Sequence, residues 1–368
     1  MNSNKLKNIE WWILICVLLL CVVSCIALYS TTGHVNYEDL KKQIVWIGIG
    51  LVLTLIFTII DYKVLVEISP IFYGISIILL IAVMFTRPVN GARSWFNIMG
   101  FTLQPAEFAK PFIILFLTYV ITKIQSKGKE EINRIWKLAI VVGALAIPLA
   151  LIIIEPDFGT TAAYIVAFAM MIFVSGIDKK YIIVVVLLVA IGIPLIYNFA
   201  LPQHAKTRIE VFLNPESDPK GAGYNVLQSK LAIGSGELTG MGVLNGNQTQ
   251  LGYLSPKTTD FIFSVIGEEM GFLVAGGIII AYVFLITKAL FVAKTARDDA
   301  GSYIAAGISG ILFFHMAENI GMTMGLLPIT GVPLLFVSYG GSSMLTGFIF
   351  IGLLLNVSAN RKKTIFVK

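Results

Sequence analysis

The sequence predicts an all-α polytopic membrane protein of about ten transmembrane helices, with both termini cytoplasmic. Three observations carry this. Of 368 residues, 57% are hydrophobic and only 13% charged. Soluble domains carry about a quarter charged residues, so a water-soluble enzyme and a disordered chain are both excluded. Apolar runs also recur at the ~17–25 residues needed to cross ~30 Å of hydrocarbon. The runs show no period-2 alternation of the kind a membrane barrel needs. Backbone in lipid must then close its own hydrogen bonds within helices.

The first run, 11–29, holds all three cysteines, Cys16, Cys21 and Cys25. They make neither a disulfide framework nor a CxxC site and are read as lipid-facing packing residues. Val22-Val23-Ser24-Cys25 looks like a lipoprotein cleavage box, but the run continues through Ile26-Ala27-Leu28 without an A-x-A site. A first span is therefore expected rather than a removed signal. Further runs follow at 43–60, 69–85, 106–122, 138–154, 158–175, 181–200, 262–287, 303–325 and 332–357. The third, fourth and sixth are short. With the N-terminus inside, 17 of the 27 Lys and Arg fall on the inner side and 9 on the outer, as the positive-inside rule requires. The chain reads as one transmembrane domain, 1–368, without internal repeats. The basic segment 123–137 is a connector beside anionic membrane lipid. Basic residues are scattered rather than striped, which argues against nucleic acid.

One long extracellular loop, 201–261, joins spans seven and eight. Connections above ~15 residues are usually functional or disordered. This one balances five acidic against five basic residues and spaces eight glycines among Phe212, Tyr224, Leu227 and Leu231. An ordered loop lying over the membrane surface is expected.

Ionisable groups inside spans are costly and are functional candidates by default. Glu107 and Lys110 sit three apart on one helix face. They are either a neutralised pair tying helices together or the wall of a polar cavity for an anionic group. Glu155 and Asp157 flank Pro156 in a tight turn. Either is an exposed loop acid or the start of span six, where Asp157 could cap the helix. His315 and Glu318 have HxxE spacing, read as a satisfied core contact before half a metal site. Asp260, where the long loop returns to the membrane, is either an N-cap or a partly desolvated base. One of Glu268 and Glu269 is expected to face the interior. Arg93 beside Trp95 suits a phosphate at headgroup level or plain interfacial anchoring. Gly340-Gly341-Ser342-Ser343 reads as close helix packing or a break.

Longer blocks then carry a family resemblance: NGARSWFNIMGFTLQPAEFAKP (90–111), EPDFGT (155–160), GYNVLQSKLAIGSGELTGMGVLNGNQTQLGYLSPKTTDFIFSVIGEEMGF (223–272) and NIGMTMGLLPITGVPLLFVSYGGSS (319–343). Across nearly the whole chain the sequence resembles the SEDS family (shape, elongation, division, sporulation). The resemblance implies a bacterial plasma-membrane glycosyltransferase that polymerises lipid II, the undecaprenyl-pyrophosphate-linked disaccharide-peptide, into peptidoglycan for cell-wall elongation and rod shape. It implies that the essential acid is Asp260, that the paired Glu and Lys are Glu107 and Lys110, and that Asp157, Arg93 and Trp95 line the substrate cavity. It also implies a class B penicillin-binding protein as partner. Two departures are visible, Leu335 in a PLPF-type block and Ser255-Pro256 in an LPE-type block, and neither touches an acid or base.

The implied chemistry sets what these residues must do. An acceptor hydroxyl needs a carboxylate to take its proton, and direct displacement inverts the α-linked donor into a β-1,4 bond. Departing pyrophosphate needs cations, for which Arg93, Lys110 and a divalent ion such as Mg²⁺ or Mn²⁺ are candidates. The competing readings are a lipid II flippase and a non-catalytic scaffold. Division and sporulation branches of the family share the same blocks.

Overall fold

A computed structural model describes residues 8–33, 36–87, 93–98, 101–195 and 203–361. Residues 90–92 and 99–100 of the 90–111 block, the end of the seventh run at 196–200 and the loop's first two residues, 201–202, lie outside the described residues.

Helices occupy each of the ten expected runs. They are α1 (Trp11–Thr32), α2 (Glu38–Ile59), α3 (Tyr62–Val83), α4 (Pro105–Ile124), α5 (Ile135–Ile154), α6 (Phe158–Val174) and α7 (Lys179–Leu195) before the long connection. After it come α11 (Ile262–Thr295), α12 (Asp299–Thr323) and α13 (Gly341–Ala359). Several begin earlier than the apolar runs because polar first turns belong to the helix. Asp61 caps α3 by accepting from the Lys63 N–H at 2.9 Å, and Asp298 caps α12 by accepting from the Gly301 N–H at 3.0 Å. Seven of the described helices, α1–α3, α5 and α11–α13, are long and apolar enough to cross a membrane, while α6 is shorter. The chain is a multi-pass membrane protein.

α13 is buried along its whole length and forms the centre of the bundle. α2 packs beside it, with the Thr54 hydroxyl donating to the Phe348 carbonyl at 2.9 Å. α12 lies between α6 and α11, and α4 packs on α3, α12 and α13. The α1 cysteines face inward, contrary to the lipid-facing expectation. Cys16 and Cys21 are buried, and the Cys16 thiol reaches the Ala281 carbonyl. A two-stranded antiparallel hairpin, β1 (Phe96–Ile98) and β2 (Phe101–Leu103), precedes α4 and pairs Phe96 with Leu103.

The long connection is ordered and largely helical: α8 (Gln203–Leu213), α9 (Ala222–Ser235) and the single turn α10 (Asn247–Gln250). It docks on the first part of α11. The Ser229 and Ser264 hydroxyls meet at 2.6 Å, and Ser229 donates to the Thr323 carbonyl. α11 breaks at Gly271, whose φ of 73° only glycine adopts without cost. A broken helix leaves carbonyls unpartnered, and here the connection supplies the donors. Met241 and Gly242 N–H groups bond the Glu268 and Glu269 carbonyls, while the N–H groups of Phe272 and Leu273 bond Glu237 and Leu238. Both Glu268 and Glu269 are buried, where one was expected. Glu268 accepts from the Gln248 and Thr249 N–H groups and the Thr249 hydroxyl. Glu269 accepts from Ser30 and Gln250. These two acids fasten the connection.

The expected tenth run, 332–357, divides in two. Residues 324–340 are not helical, and α13 starts only at Gly341. Gly331, Pro333 and Gly340-Gly341 explain the break. Irregular backbone at membrane depth survives only where protein buries it. Val332 and Leu334–Ser338 are buried, and side chains from several helices take up their polar groups. The Ser24 hydroxyl donates to the Val337 carbonyl at 2.6 Å, Gln43 to the Ser338 carbonyl at 3.1 Å, and Tyr282 to the Leu335 carbonyl.

Candidate functional site

Asp260 and Glu318 meet segment 328–340 directly, and the Glu107–Lys110 pair and Asp157 reach it or the start of α13 through their neighbours. Asp260 precedes α11 and does not cap it, since the cap residue is Phe261 and no side chain bonds the first turn. Three successive carbonyls hold it instead. Thr258 O accepts from the Tyr339 N–H at 2.9 Å, Thr259 O from the Ser338 hydroxyl at 2.7 Å, and Asp260 O from the Asn319 amide at 3.1 Å. The same Asn319 amide donates to the Val332 carbonyl at 2.9 Å. The half-buried Asp260 carboxyl stands over Gly331, where an added Cβ would lie 3.6 Å from its oxygen. Burial raises the Asp260 pKa, opposed in part by the Thr259 hydroxyl and by the charge of Arg208 on α8.

Glu107 and Lys110 form a buried ion pair at 2.5 Å, 3% and 1% exposed. The third member is His315 of α12, whose Nε2 lies 3.0 Å from the Lys110 ammonium. Its Nδ1 lies 2.8 Å from the Pro333 carbonyl. A carbonyl only accepts and an ammonium only donates, so the ring is the neutral tautomer with its proton on Nδ1. This corrects the expected His315–Glu318 contact: Glu318 accepts from the Thr330 hydroxyl at 2.7 Å. Spacing along one helix put the two residues together, but partners from other elements claimed both.

Asp157 does cap α6, accepting from the Thr160 N–H at 2.9 Å, and its second oxygen accepts from the Gln104 amide at 2.7 Å. The Gln104 N–H in turn bonds the Ser342 hydroxyl at 2.9 Å, which uses the Gly-Gly-Ser-Ser start of α13 as a packing joint. The α6 N-terminus presses on the same central segment, since a Cβ on Gly159 would fall 2.5 Å from Val332. Segment 330–333 therefore touches Asp260, His315 and the start of α6 together. Trp95 is half-buried ahead of β1. Arg93 is exposed and donates to the Met84 carbonyl at 3.3 Å.

Glu155 departs from the exposed-acid reading. It is 2% exposed, its carboxyl oxygens are closed to water and make no hydrogen bond of ordinary geometry, and the Ser94 side chain is the polar group nearest them. It lines a cavity of about 260 Å³ with Met84, Arg93, Ile154 and Pro156. Burial, then the charge of Asp157, pushes its pKa up to about 8. Among the described residues no three His, Cys, Asp or Glu side chains converge. They do not form an all-protein cage for a divalent ion, which normally takes several oxygen ligands.

The fold and these acids define a helical membrane protein with a polar centre at one end of the bundle. The chain belongs to the FtsW/RodA/SpoVE family, described as cell cycle proteins, whose model matches residues 6–363. This bears out the resemblance carried by the sequence blocks. The chain is 35% identical to the peptidoglycan glycosyltransferase MrdB of Escherichia coli (strain K12), over 98% of both chains. It is 31% identical to the peptidoglycan glycosyltransferase RodA of Treponema pallidum (strain Nichols), over 98% of this chain and all of that one. Among solved structures it matches a chain of a peptidoglycan synthase complex that coordinates polymerization and crosslinking. The TM-score is 0.82 at 25% identity, over 96% of this chain and 99% of that one. RodA of Thermus thermophilus shares the fold at a TM-score of 0.71 and 24% identity, over 96% and 98% of the two chains.

Proposed function

We propose that this protein is a peptidoglycan glycosyltransferase that joins lipid II units for cell-wall elongation, with Asp260 as the general base. The observation that carries the reading is the fixed, half-buried Asp260 carboxyl, in a chain similar over its full length to named peptidoglycan glycosyltransferases. A base must be placed before it is tuned. Bonds to three successive backbone carbonyls place Asp260, and burial raises its proton affinity. The acceptor sugar hydroxyl gives its proton to Asp260 as its oxygen attacks the donor anomeric carbon. The bond to undecaprenyl pyrophosphate breaks, and the pyrophosphate leaves with the electron pair.

Arg93 is the exposed cation offered to that pyrophosphate. Lys110 acts at one remove, as a positioning residue: its ammonium holds His315, and His315 holds the Pro333 carbonyl under the site. A divalent ion enters only as a companion of the substrate pyrophosphate, and no step depends on it. The partner in this proposal is a class B penicillin-binding protein, supported by the likeness to a synthase-complex chain. Relatives also include Stage V sporulation protein E of Bacillus subtilis (strain 168), 33% identical over 97% of this chain and 98% of that one. The elongation role rests on the RodA and MrdB likeness.

The test is lipid II polymerisation by the purified full chain with its cognate penicillin-binding protein. Wild type gives glycan ladders. Asp260→Asn, which keeps shape and loses basicity, slows them by ~10²–10⁴-fold. Unchanged ladders from a folded Asp260→Asn protein would remove the base assignment.

A further inference from the structure

The proposed reaction joins two lipid molecules, and each carries a pyrophosphate. Arg93 is offered to the departing one, which leaves the other without a cation. Arg208 of α8 is an exposed cation with no part in that scheme. Its side chain lies along an apolar crevice with Phe212, Val226, Leu327 and Ile329, as the long stem of an arginine commonly does. The space left in the crevice is about 10 Å³, no more than one water needs. The stem is therefore seated, and a ligand meets the guanidinium outside the crevice. Among the described residues Arg208 makes no ion pair and no hydrogen bond.

Its place is beside the base. Ile329, in the crevice wall, packs on the Leu254, Phe261 and Val265 cluster, which contains the residue after Asp260. Ile329 also stands two residues before Gly331, over which the Asp260 carboxyl lies. The Arg208 charge acts on that carboxyl. Arg93 comes from another quarter. It lines the cavity at the α5–α6 turn with Glu155 and Pro156, and the start of α6 meets Thr330 and Val332. Segment 329–332 thus meets the Arg208 crevice at its first residue and the start of α6 at its last. In a direct displacement the attacking oxygen and the departing oxygen lie on opposite faces of the anomeric carbon. The hydroxyl at Asp260 belongs to the acceptor. A cation on the Asp260 side therefore serves the acceptor lipid, and the departing pyrophosphate lies on the far face.

We propose that Arg208 anchors the acceptor lipid, its guanidinium binding the pyrophosphate of the molecule whose sugar hydroxyl Asp260 deprotonates. The planar fork offers two parallel N–H groups to phosphate oxygens. Its charge also offsets the repulsion between the Asp260 carboxylate and an anionic acceptor. No bond to Arg208 forms or breaks, and it keeps its charge through the step. This role rests on the polymerase reading for the word acceptor. Pyrophosphate binding is read apart from turnover, so the two can fail separately.

The experiment uses the purified full chain in nanodiscs of phosphatidylcholine. One arm titrates farnesyl pyrophosphate by calorimetry, and the other measures lipid II polymerisation with the cognate penicillin-binding protein. Arg208→Met keeps a stem in the crevice and removes the charge. The probe should bind wild type at two sites. Arg208→Met should weaken one of them about tenfold, as loss of a charge-assisted bond does, and leave the one that Arg93→Ala weakens. In turnover, Arg208→Met should raise KM for lipid II about tenfold with kcat within about threefold, because an acceptor anchor holds ground state and transition state alike. Arg208→Lys keeps the charge without the fork and should recover part of the loss. Lys220, exposed on the same connection, does not line the crevice, and Lys220→Ala should change neither readout. Probe binding and KM that ignore Arg208→Met overturn the proposal. So does an equal loss in Lys220→Ala, which would mark a general field, or a fall in kcat at unchanged KM. Absent ladders from wild type would remove the polymerase reading, and the probe would still decide whether Arg208 binds pyrophosphate.

Discussion

Lys110→Met separates what the buried Glu107–Lys110 pair does for the fold from what it does for the site. In an effective dielectric of about 20, unit charges 2.5 Å apart attract by about 7 kcal/mol. Desolvating each ion costs several kcal/mol, so most of that attraction is offset. The pair as a whole then stabilises little, whereas either charge alone is strongly unfavourable. Lys110→Met leaves the Glu107 carboxylate buried with no cation, with one oxygen, Oε2, already unpartnered. Glu107→Gln leaves the ammonium without its counter-ion. Each single change should cost about 3–5 kcal/mol. Changing both together should cost about 1 kcal/mol, the lost bond to His315. Denaturant unfolding of the full chain in mixed micelles, followed by tryptophan fluorescence, reads all four corners of the cycle. The non-additivity should reach at least about 3 kcal/mol. Single losses under about 1 kcal/mol that simply add would refute the reasoning, because the two charges would then be solvated separately.

Three further outcomes follow from the same geometry. Asn319→Ala strips the donor from the Asp260 and Val332 carbonyls; at roughly 1–3 kcal/mol per orphaned buried group, unfolding should show a loss of about 2–5 kcal/mol and polymerisation should fall with it. Gly331→Ala puts a methyl group beside the Asp260 carboxyl at a residue with φ of 77°; strain of about 1–2 kcal/mol and a lower turnover at unchanged partner binding are expected in the ladder assay. Glu155 has a raised pKa when folded, so its contribution is fully present below the ordinary carboxylate range and is lost as pH rises toward about 8. Unfolding measured across pH 5–8 should fall by up to about 1.4 kcal/mol per pH unit, and Glu155→Gln should remove that slope.

How much of this was legible depended on whether a residue's partners were local. Apolar runs located the helices because lipid imposes length and hydropathy on each span independently. The Glu107–Lys110 pair was visible because both residues sit on one helix face. Asp157 was visible as a cap for the same reason. His315 was not, because its partners, Lys110 and Pro333, come from elsewhere in the chain. Glu155 read as a loop acid because nothing in its neighbours announces that the turn is buried. The start of α13 was misread because Val332, Leu334, Leu335, Phe336 and Val337 look like a span. Hydropathy reports burial, not conformation, and the usable signals were Gly331, Pro333 and Gly340-Gly341.

That misread segment is the reason the site can exist in a membrane. A continuous helix would satisfy its own backbone and offer nothing to its neighbours. An irregular stretch leaves donors and acceptors that its own turns do not satisfy, and each must find a partner because lipid supplies none. Here the partners are the groups that need placing. Tyr339 and Ser338 fix Thr258 and Thr259, Pro333 fixes His315, and Thr330 fixes Glu318. Phe336 is held at φ 66° within this stretch while buried against Phe348. A non-glycine residue persists in that region only when its surroundings over-determine it. Moving any one element therefore shifts the carbonyls that position Asp260. A partner pressing on α11 or on the connection docked to it could change turnover without touching the carboxyl. Partner-dependent activity would then follow from the break in the tenth run, and restoring helix there should uncouple the two.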